Sequence, residues 1–353
     1  MKKALFFIQN GVGGAERVSI NIAKMLPANM WEINIVKICS GDNISDTTID
    51  DFIPHNFIIR TLHWKNQLSY LWQLYQAIRA SRPDVVFASV FHINMRLMIL
   101  APLFPNIKFI IRNNNYLDSL SDKKKKALRY LYNNATAVIA QTDEMENELV
   151  AAGVKKRIVC TLHNPIDTSA IDSKAKEDTP FHDEKAIRYV AVGRFNHVKG
   201  FDLLAKAFEK VHNLLPQTEL WIIGNYMADG GKIKKQIIDI ATAGGWEDCL
   251  HIHGYTDNPY KFMKNADVFV LSSRKEGLPN VLIEAQYLGV PVAAFKCIPI
   301  IERIVKNGYN GFLAEAENVE ELADAMKKAS ELLKPITITY NSAHSSSFLR
   351  LFE

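Results

Sequence analysis

SSRKEGLPNVLIEAQYLGVPV, residues 272–292, is the stretch whose reading decides the fold. An apolar run over Val268–Leu271 reads as a strand that ends just before it, and a polar loop follows. Pro279 then stands where the first turn of a helix accepts a proline. The helix read over Pro279–Leu288 carries Val281, Ala285 and Leu288 on one stripe, and Glu284 falls on that stripe. A carboxylate turned towards a core is costly unless it is paired or bonded to a ligand. Glu276 lies ahead of the helix N-terminus, where open N–H groups and the helix dipole attract an anion. Gly277 lets backbone approach a ligand closely. Taken alone, the same residues also fit a Glu284 bonded locally to backbone and a solvated Glu276.

The neighbouring sequence repeats the strand–loop–helix unit. In YVAVGRFNHVKGFDLL, residues 189–204, Arg194 leaves a strand end directly after Gly193, and Lys199 follows beside Gly200 and the next helix. Two such cations can hold a diphosphate, arginine by bidentate bonds and lysine as a mobile charge; they are equally placed to be surface cations. In IQNGVGGAERVSINIAKML, residues 8–26, a strand runs through a glycine loop into a helix. It is not a G-x-G-x-x-G loop, and no aspartate ends the second strand, where Ile38-Cys39-Ser40 stands, so a nicotinamide cofactor is disfavoured.

Strand and helix patterns alternate in this way along the chain, which predicts parallel sheets covered by helices on both faces. With 353 residues, two domains are expected. Residues 1–167 read as a Rossmann-like domain, 168–186 as a polar linker and 187–334 as a second Rossmann-like domain, the two facing across a cleft. Residues 335–353 form a Ser-rich tail with no clear helical pattern, its apolar patch being Phe348-Leu349 and Leu351-Phe352.

Taken in order, these motifs resemble the retaining family 4 (group 1) glycosyltransferases of GT-B fold. GGAER at 13–17 is similar to that family's glycine loop, VGRFNHVKG at 192–200 to its diphosphate clamp, and Glu276 with Glu284 to its paired glutamates. IIGNY at 222–226 and HGYTDN at 253–258 resemble the strand ends around the nucleotide base, and HNPID at 163–167 the segment closing the first domain. The resemblance implies hexosyl transfer from a nucleotide-sugar, favouring UDP, to a glycan or polyprenyl-diphosphate acceptor in bacterial lipopolysaccharide or capsule synthesis. Glu276, Arg194 and Lys199 would be catalytic. The donor would meet Gly13, Gly14, Gly193, Gly224, Tyr255, Gly277, Leu278, Asn280 and Glu284 besides. In IIRNNNYL the family's usual histidine is missing, and Asn113 and Asn114 stand there as acceptor candidates.

Composition narrows the classes further. No apolar stretch is long enough to span a bilayer, and the apolar run after Lys2-Lys3 is too short for a signal-peptide core. Four scattered cysteines without a C-x-x-C pair fit a reduced, cytoplasmic protein. Residues 1–167 hold 20 Lys and Arg against 14 Asp and Glu, too small an excess for a nucleic-acid binder. The basic block Lys123–Lys126 with Arg129 fits either a solvated helix face or an anionic membrane surface, which would place the protein on the inner face of the cytoplasmic membrane. His251 and His253 share a strand face without a third ligand, and there is no D-x-D tripeptide. No cofactor and no metal are therefore expected. A sugar-nucleotide epimerase, with His92 or His163 as acid or base, and a non-catalytic nucleotide-sugar binder are the alternatives.

Overall fold

The computed structural model describes residues 1–11, 13–40, 49–181, 185–226, 229–336 and 345–353. The chain divides into two compact units, Met1–Ile166 with Ser342–Glu353, and Asp167–Asn341.

The first unit runs β1 (Lys2–Gln9), α1 (Gly14–Met25), β2 (Trp31–Ser40), β3 (Ile58–Trp64), α2 (Gln67–Ser81), β4 (Val85–Ala88) and α3 (Phe91–Leu100). It continues through β5 (Lys108–Asn113), α4 (Asp122–Leu131), β6 (Ala137–Ala140), α5 (Asp143–Ala151) and β7 (Val159–Thr161). Every neighbouring pair is parallel, in the order β3-β2-β1-β4-β5-β6-β7. Strands covered on both faces need unbroken apolar runs, and Ala4–Ile8 of β1 and all of β4 are buried. Edge strand β3 is mostly exposed and lacks such a run, so no apolar pattern announces it.

The second unit runs α6 (Thr168–Lys174), β8 (Ile187–Val192), α7 (Phe201–Leu214), β9 (Thr218–Ile223), α8 (Lys232–Gly244), β10 (Leu250–His253) and α9 (Tyr260–Asn265). There follow β11 (Val268–Leu271), α10 (Asn280–Tyr287), β12 (Val292–Phe295), α11 (Ile300–Ile304), β13 (Gly311–Ala314) and α12 (Val319–Ser330). Its parallel sheet has the order β10-β9-β8-β11-β12-β13. Leu204, Phe208 and Val211 of α7, Ile237 of α8 and Leu322 and Met326 of α12 pack over one face.

The expected linker and the tail also differ from the sequence reading. Residues 168–174, expected as part of a linker, form α6; residues 182–184 of that linker lie outside the described residues. Helix α6 buries only Ile171, so no periodicity announces it. Its stability comes from Asp167, whose side chain accepts from Ala170 N–H at 3.1 Å, and from Lys174, whose carbonyl accepts from Asn258 at 2.9 Å. The tail, expected without helix, carries α13 (Ser345–Phe352); residues 337–344 lie outside the described residues. Phe348 and Phe352, four residues apart, share a helix face and are buried in the first unit's core. The Phe352 ring lies 5.8 Å from Phe6 and 6.0 Å from Phe87.

In each sheet the strand order reverses once, between β1 and β4 and between β8 and β11. Open parallel sheets bind ligands outside the carboxyl ends of the strands at such a reversal. The glycine loop follows β1, the clamp segment follows β8, and the Glu276 loop follows β11.

Candidate active site

In the second unit, Lys199 Nζ donates to Glu276 Oε1 at 2.6 Å, and Ser273 Oγ donates to the same oxygen at 2.6 Å. Both partners of the ion pair keep some exposure, 20% for the lysine side chain and 11% for the glutamate, so water and a ligand can compete for them. The turn that delivers Lys199 is built locally. Asn196 caps it through its side chain, and Gly200 takes a left-handed conformation with φ of 63°. A Cβ at Gly200 would collide with the Ser272 carbonyl, so only glycine brings the two loops this close. Ser272 Oγ returns a bond to Lys199 O at 2.9 Å.

Arg194 stands exposed after Gly193, and no bond to it is found among the described residues. Gly193 packs against the Lys199 stem, and Gly224, with φ of 152°, sits against the Gly193 carbonyl where a Cβ would collide. Beyond them Tyr255 is 36% exposed. Leu278 is buried, while Gly277 and Asn280 are half-buried at the head of α10.

Glu284 departs from the sequence reading. The face of α10 turned to the core carries Leu282, Ile283, Ala285 and Gln286, and Glu284 is half-buried beside Val281. The adjacent stripe with Leu282 and Ile283 buries apolar surface without a carboxylate, and packing selects it. Glu284 Oε1 instead meets the Tyr260 hydroxyl at 3.4 Å. Pro279 is the cap residue ahead of α10 and Asn280 its first residue.

Two residues of this region escaped the sequence reading. The Arg274 fork donates to Asp202 at 2.8 and 2.6 Å, its Nη1 also reaches His197 O at 2.8 Å, and Nε reaches Glu317 at 3.0 Å. It ties the Lys199 turn to the Glu276 loop, and the signal was a cation inside the 272–276 loop with Asp202 at the head of α7. Cys297, on the loop after β12, lies near enough to the pair to feel both charges. Burial and then the Glu276 charge push its thiol up to about 12, which leaves it protonated and non-nucleophilic at neutral pH.

His251 stacks on Trp221 at 4.1 Å and His253 packs edge-on to Phe262 at 4.8 Å. Among the described residues no group of three or more His, Cys, Asp or Glu is placed to hold a metal ion.

The first unit gathers buried polar side chains at its strand reversal. The hydroxyls of Ser19 and Ser89 lie 2.7 Å apart, and both reach the Ala15 carbonyl. Arg112, at the end of β5, is 1% exposed and donates through Nη2 to Asn164. Asn94 Nδ2 caps the Arg112 carbonyl at 3.0 Å. Glu16, in the first turn of α1, is 7% exposed and its carboxylate lies against Gly13. Asn113 is buried and donates to Asn115 O at 2.7 Å, while half-buried Asn114 accepts from Asn115 at 3.1 Å, so both bond within their own loop. His163 shares a bond with Gln141 O at 2.8 Å.

Residues 172–335 match the family described as Glycosyl transferases group 1, and residues 12–170 match Glycosyltransferase Family 4. The chain is a glycosyltransferase made of a family 4 domain followed by a group 1 domain. An uncharacterised glycosyltransferase of Haemophilus influenzae is 27% identical over 92% of this chain and 90% of its own length. A Campylobacter jejuni relative is 24% identical over 94% of this chain and 90% of its own, and is named N-acetylgalactosamine-N,N'-diacetylbacillosaminyl-diphospho-undecaprenol 4-alpha-N-acetylgalactosaminyltransferase. Among solved structures, Anabaena HepE in complex with UDP superimposes with a TM-score of 0.76 at 18% identity, covering 94% of this chain and 92% of that one. The fold of this glycosyltransferase is thus GT-B. Its clamp turn, glutamate loop and α10 lie inside the group 1 match, and its glycine loop and Arg112 inside the family 4 match. No helix among the described residues is long and apolar enough to cross a membrane.

Proposed function

We propose that this glycosyltransferase moves a sugar from a UDP-sugar to a polyprenyl-diphosphate-linked glycan in bacterial surface-polysaccharide synthesis, with retention at the anomeric carbon. The observation that carries this reading is the Lys199–Glu276 pair at the β8/β11 reversal, with exposed Arg194 beside it. The UDP bound to HepE and the undecaprenyl-diphosphate acceptor in the Campylobacter relative's name support the two substrate classes.

In this reading Arg194 and Lys199 take up the charge that grows on the departing diphosphate, electrostatic stabilisation that requires no metal. Lys199 need only exchange one oxygen anion for another. Glu276, with the backbone of Gly277 and Leu278 and the Asn280 side chain, holds the sugar hydroxyls. Glu284 takes the ribose hydroxyls, and Gly193, Gly224 and Tyr255 border the nucleotide. Gly13 and Gly14 approach the donor phosphates, and Asn113 and Asn114 lie towards the acceptor. Incubation with radiolabelled UDP-sugars and undecaprenyl-diphosphate-linked saccharide tests the reading: label should move to lipid. Epimerised label, or label left untouched, refutes it. NMR of the product linkage decides retention.

The acceptor lipid requires a visit to the bilayer, and the first unit offers a face for it. Lys123, Lys124, Lys126 and Arg129 of α4 are exposed, as is Tyr130 at 64%. Nearby α2 and α3 expose Leu68, Trp72 and Ile99. Exposed cations and exposed apolar side chains suit an anionic interface, each cation contributing about 1 kcal/mol. Flotation should show binding to anionic vesicles that weakens as salt rises. Equal binding to neutral vesicles, or none to either, removes the membrane from the proposal.

A further inference from the structure

Arg112 is the residue the foregoing roles leave unused. Its position follows from register. Ile110 of β5 packs in the core that Val18 and Ile22 of α1 help to form, and Arg112, two residues on, shares that face. Ser89, two residues after Phe87 on the same face, already touches Ala15 in the first turn of α1. The Arg112 side chain therefore lies under the head of α1. It is 1% exposed, its Nη2 is held by Asn164, and among the described residues Nε and Nη1 face no acceptor. A guanidinium taken out of water with an amide as its bonded partner is expensive to keep, and core packing alone would favour leucine or methionine here.

The nearby opposite charge is Glu16. Its carboxylate is 7% exposed and lies so close to Gly13 that a Cβ there would strike it. Glu16 occupies the third helical position, from which a glutamate side chain folds back on the helix head. Gly13 caps α1 without a side-chain bond of its own. The Glu16 charge supports Arg112 in its charged form, against the burial that pulls its pKa down to about 9.

We propose that Arg112 is a positioning residue: its buried charge neutralises Glu16 and keeps that carboxylate folded on Gly13, so that the glycine turn stays formed and accepts the substrate's phosphates. This rests on the reading above that Gly13 and Gly14 approach those phosphates. A glutamate at the turn without its counter-ion would repel an incoming phosphate, and the first turn of α1 would fray. The pair resolves this by holding the carboxylate's shape while cancelling its field.

The experiment compares four variants in the full chain: Arg112→Met, Arg112→Lys, Glu16→Gln and the double variant Arg112→Met/Glu16→Gln. Two readouts are taken: amide exchange over residues 13–18 in the free protein, and KM and kcat for the UDP-sugar that the wild type turns over. Arg112→Met should speed exchange at the head of α1 and raise KM about 10–100-fold, while kcat stays within about threefold. Arg112→Lys, which keeps the charge, should fall between wild type and Arg112→Met. The double variant should recover slow exchange and bring KM within about threefold of wild type, because a neutral glutamine can still fold onto Gly13. A folded Arg112→Met with normal exchange and KM overturns the proposal, as does a double variant no better than the single one. If Arg112→Met does not fold, recovery of folding and KM in the double variant supports the proposal, and failure to recover overturns it. A wild type that transfers no sugar would sink the substrate reading alone, and the exchange measurement would still decide the pair.

Discussion

Each unit takes an arginine out of solvent beside its strand reversal, Arg112 fully and Arg274 in part, and the two are treated in opposite ways. Arg274 is bonded on every side, to the Asp202 carboxylate, the His197 carbonyl and Glu317, and the two carboxylates raise its pKa despite burial. Arg112 has one bonded amide partner, and burial lowers its pKa. A carboxylate fork makes a guanidinium a structural staple, whereas an amide leaves its charge available to act on something else. The second unit therefore matches its charges locally and keeps Lys199 and Glu276 partly wet, where a ligand can rearrange them. The first unit places charge beneath its glycine loop, where it can act only through that loop.

The largest effect should come from the wet pair. Lys199→Ala removes a cation whose task in the proposed reaction falls in the transition state, and kcat should drop by about 10²–10³. The variant keeps Ser273, which donates to Glu276 at 2.6 Å in the wild type, so the melting temperature should fall by no more than a few degrees. Steady-state rates and a thermal melt on one preparation suffice. Wild-type turnover would break the contrast between the units at its strongest point.

Next come the glutamates, which look alike in sequence and differ in place. Glu276 is bonded to Lys199 and Ser273, whereas Glu284 is half-buried near Tyr260. Glu276→Gln should lower kcat by about 10–100-fold, since in the proposed reaction its bonds strengthen as charge develops on the sugar. Glu284→Gln should raise the donor KM by roughly 3–10-fold and leave kcat within about twofold. Equal defects in the two would show that the loop and the helix act as one unit, and would erase the division between them.

Much of this was legible before any coordinates. Strands such as Val85–Ala88 and Val292–Phe295 are buried on both faces, and a continuous apolar run admits few other readings. The places of Lys199 and Glu276 were legible because each stands on a loop beside a glycine, shortly after a strand end. What escaped was held by tertiary partners. Helix α6 has one buried residue, and β3 is an exposed edge. Helix α13 depends on a core pocket for two phenylalanines far away in sequence. Glu284 was assigned to the buried stripe of α10 because periodicity gives two adjacent stripes and only packing chooses between them. Arg112 was passed over for the asparagines after it. Its signal was present, since an arginine two residues beyond Ile110 places a charge on the buried face of an apolar strand.

The smallest expected effect tests the staple itself. Arg274→Ala deletes the bonds to Asp202, His197 and Glu317 but leaves the backbone bond from Arg274 N to Val198 O at 2.8 Å. The loops should stay joined, with a donor KM only a few-fold above wild type. Stability should fall more clearly, because Asp202, 6% exposed, loses its charged partner; about 1–3 kcal/mol is the usual cost. For a unit of this size that is several degrees in melting temperature. The sign with pH follows from Asp202. Burial alone would raise its pKa, but the Arg274 bonds outweigh burial and hold it below the ordinary carboxylate range. A depressed pKa in the folded state contributes stability that is full above the unfolded value, near 4, and is lost as pH falls through the folded value. In Arg274→Ala only the weaker pulls of the Asp202 backbone N–H and of His197 remain against burial, so protonating Asp202 costs the variant less than it costs the wild type. The gap in melting temperature should therefore be widest at neutral pH and narrow as the solution is brought below about pH 4. Thermal melts of both proteins from pH 7 to pH 3.5 measure it. A gap that stays constant over that range would assign the stabilisation to the neutral contacts with His197 O, and the two arginines would then differ less than their partners suggest.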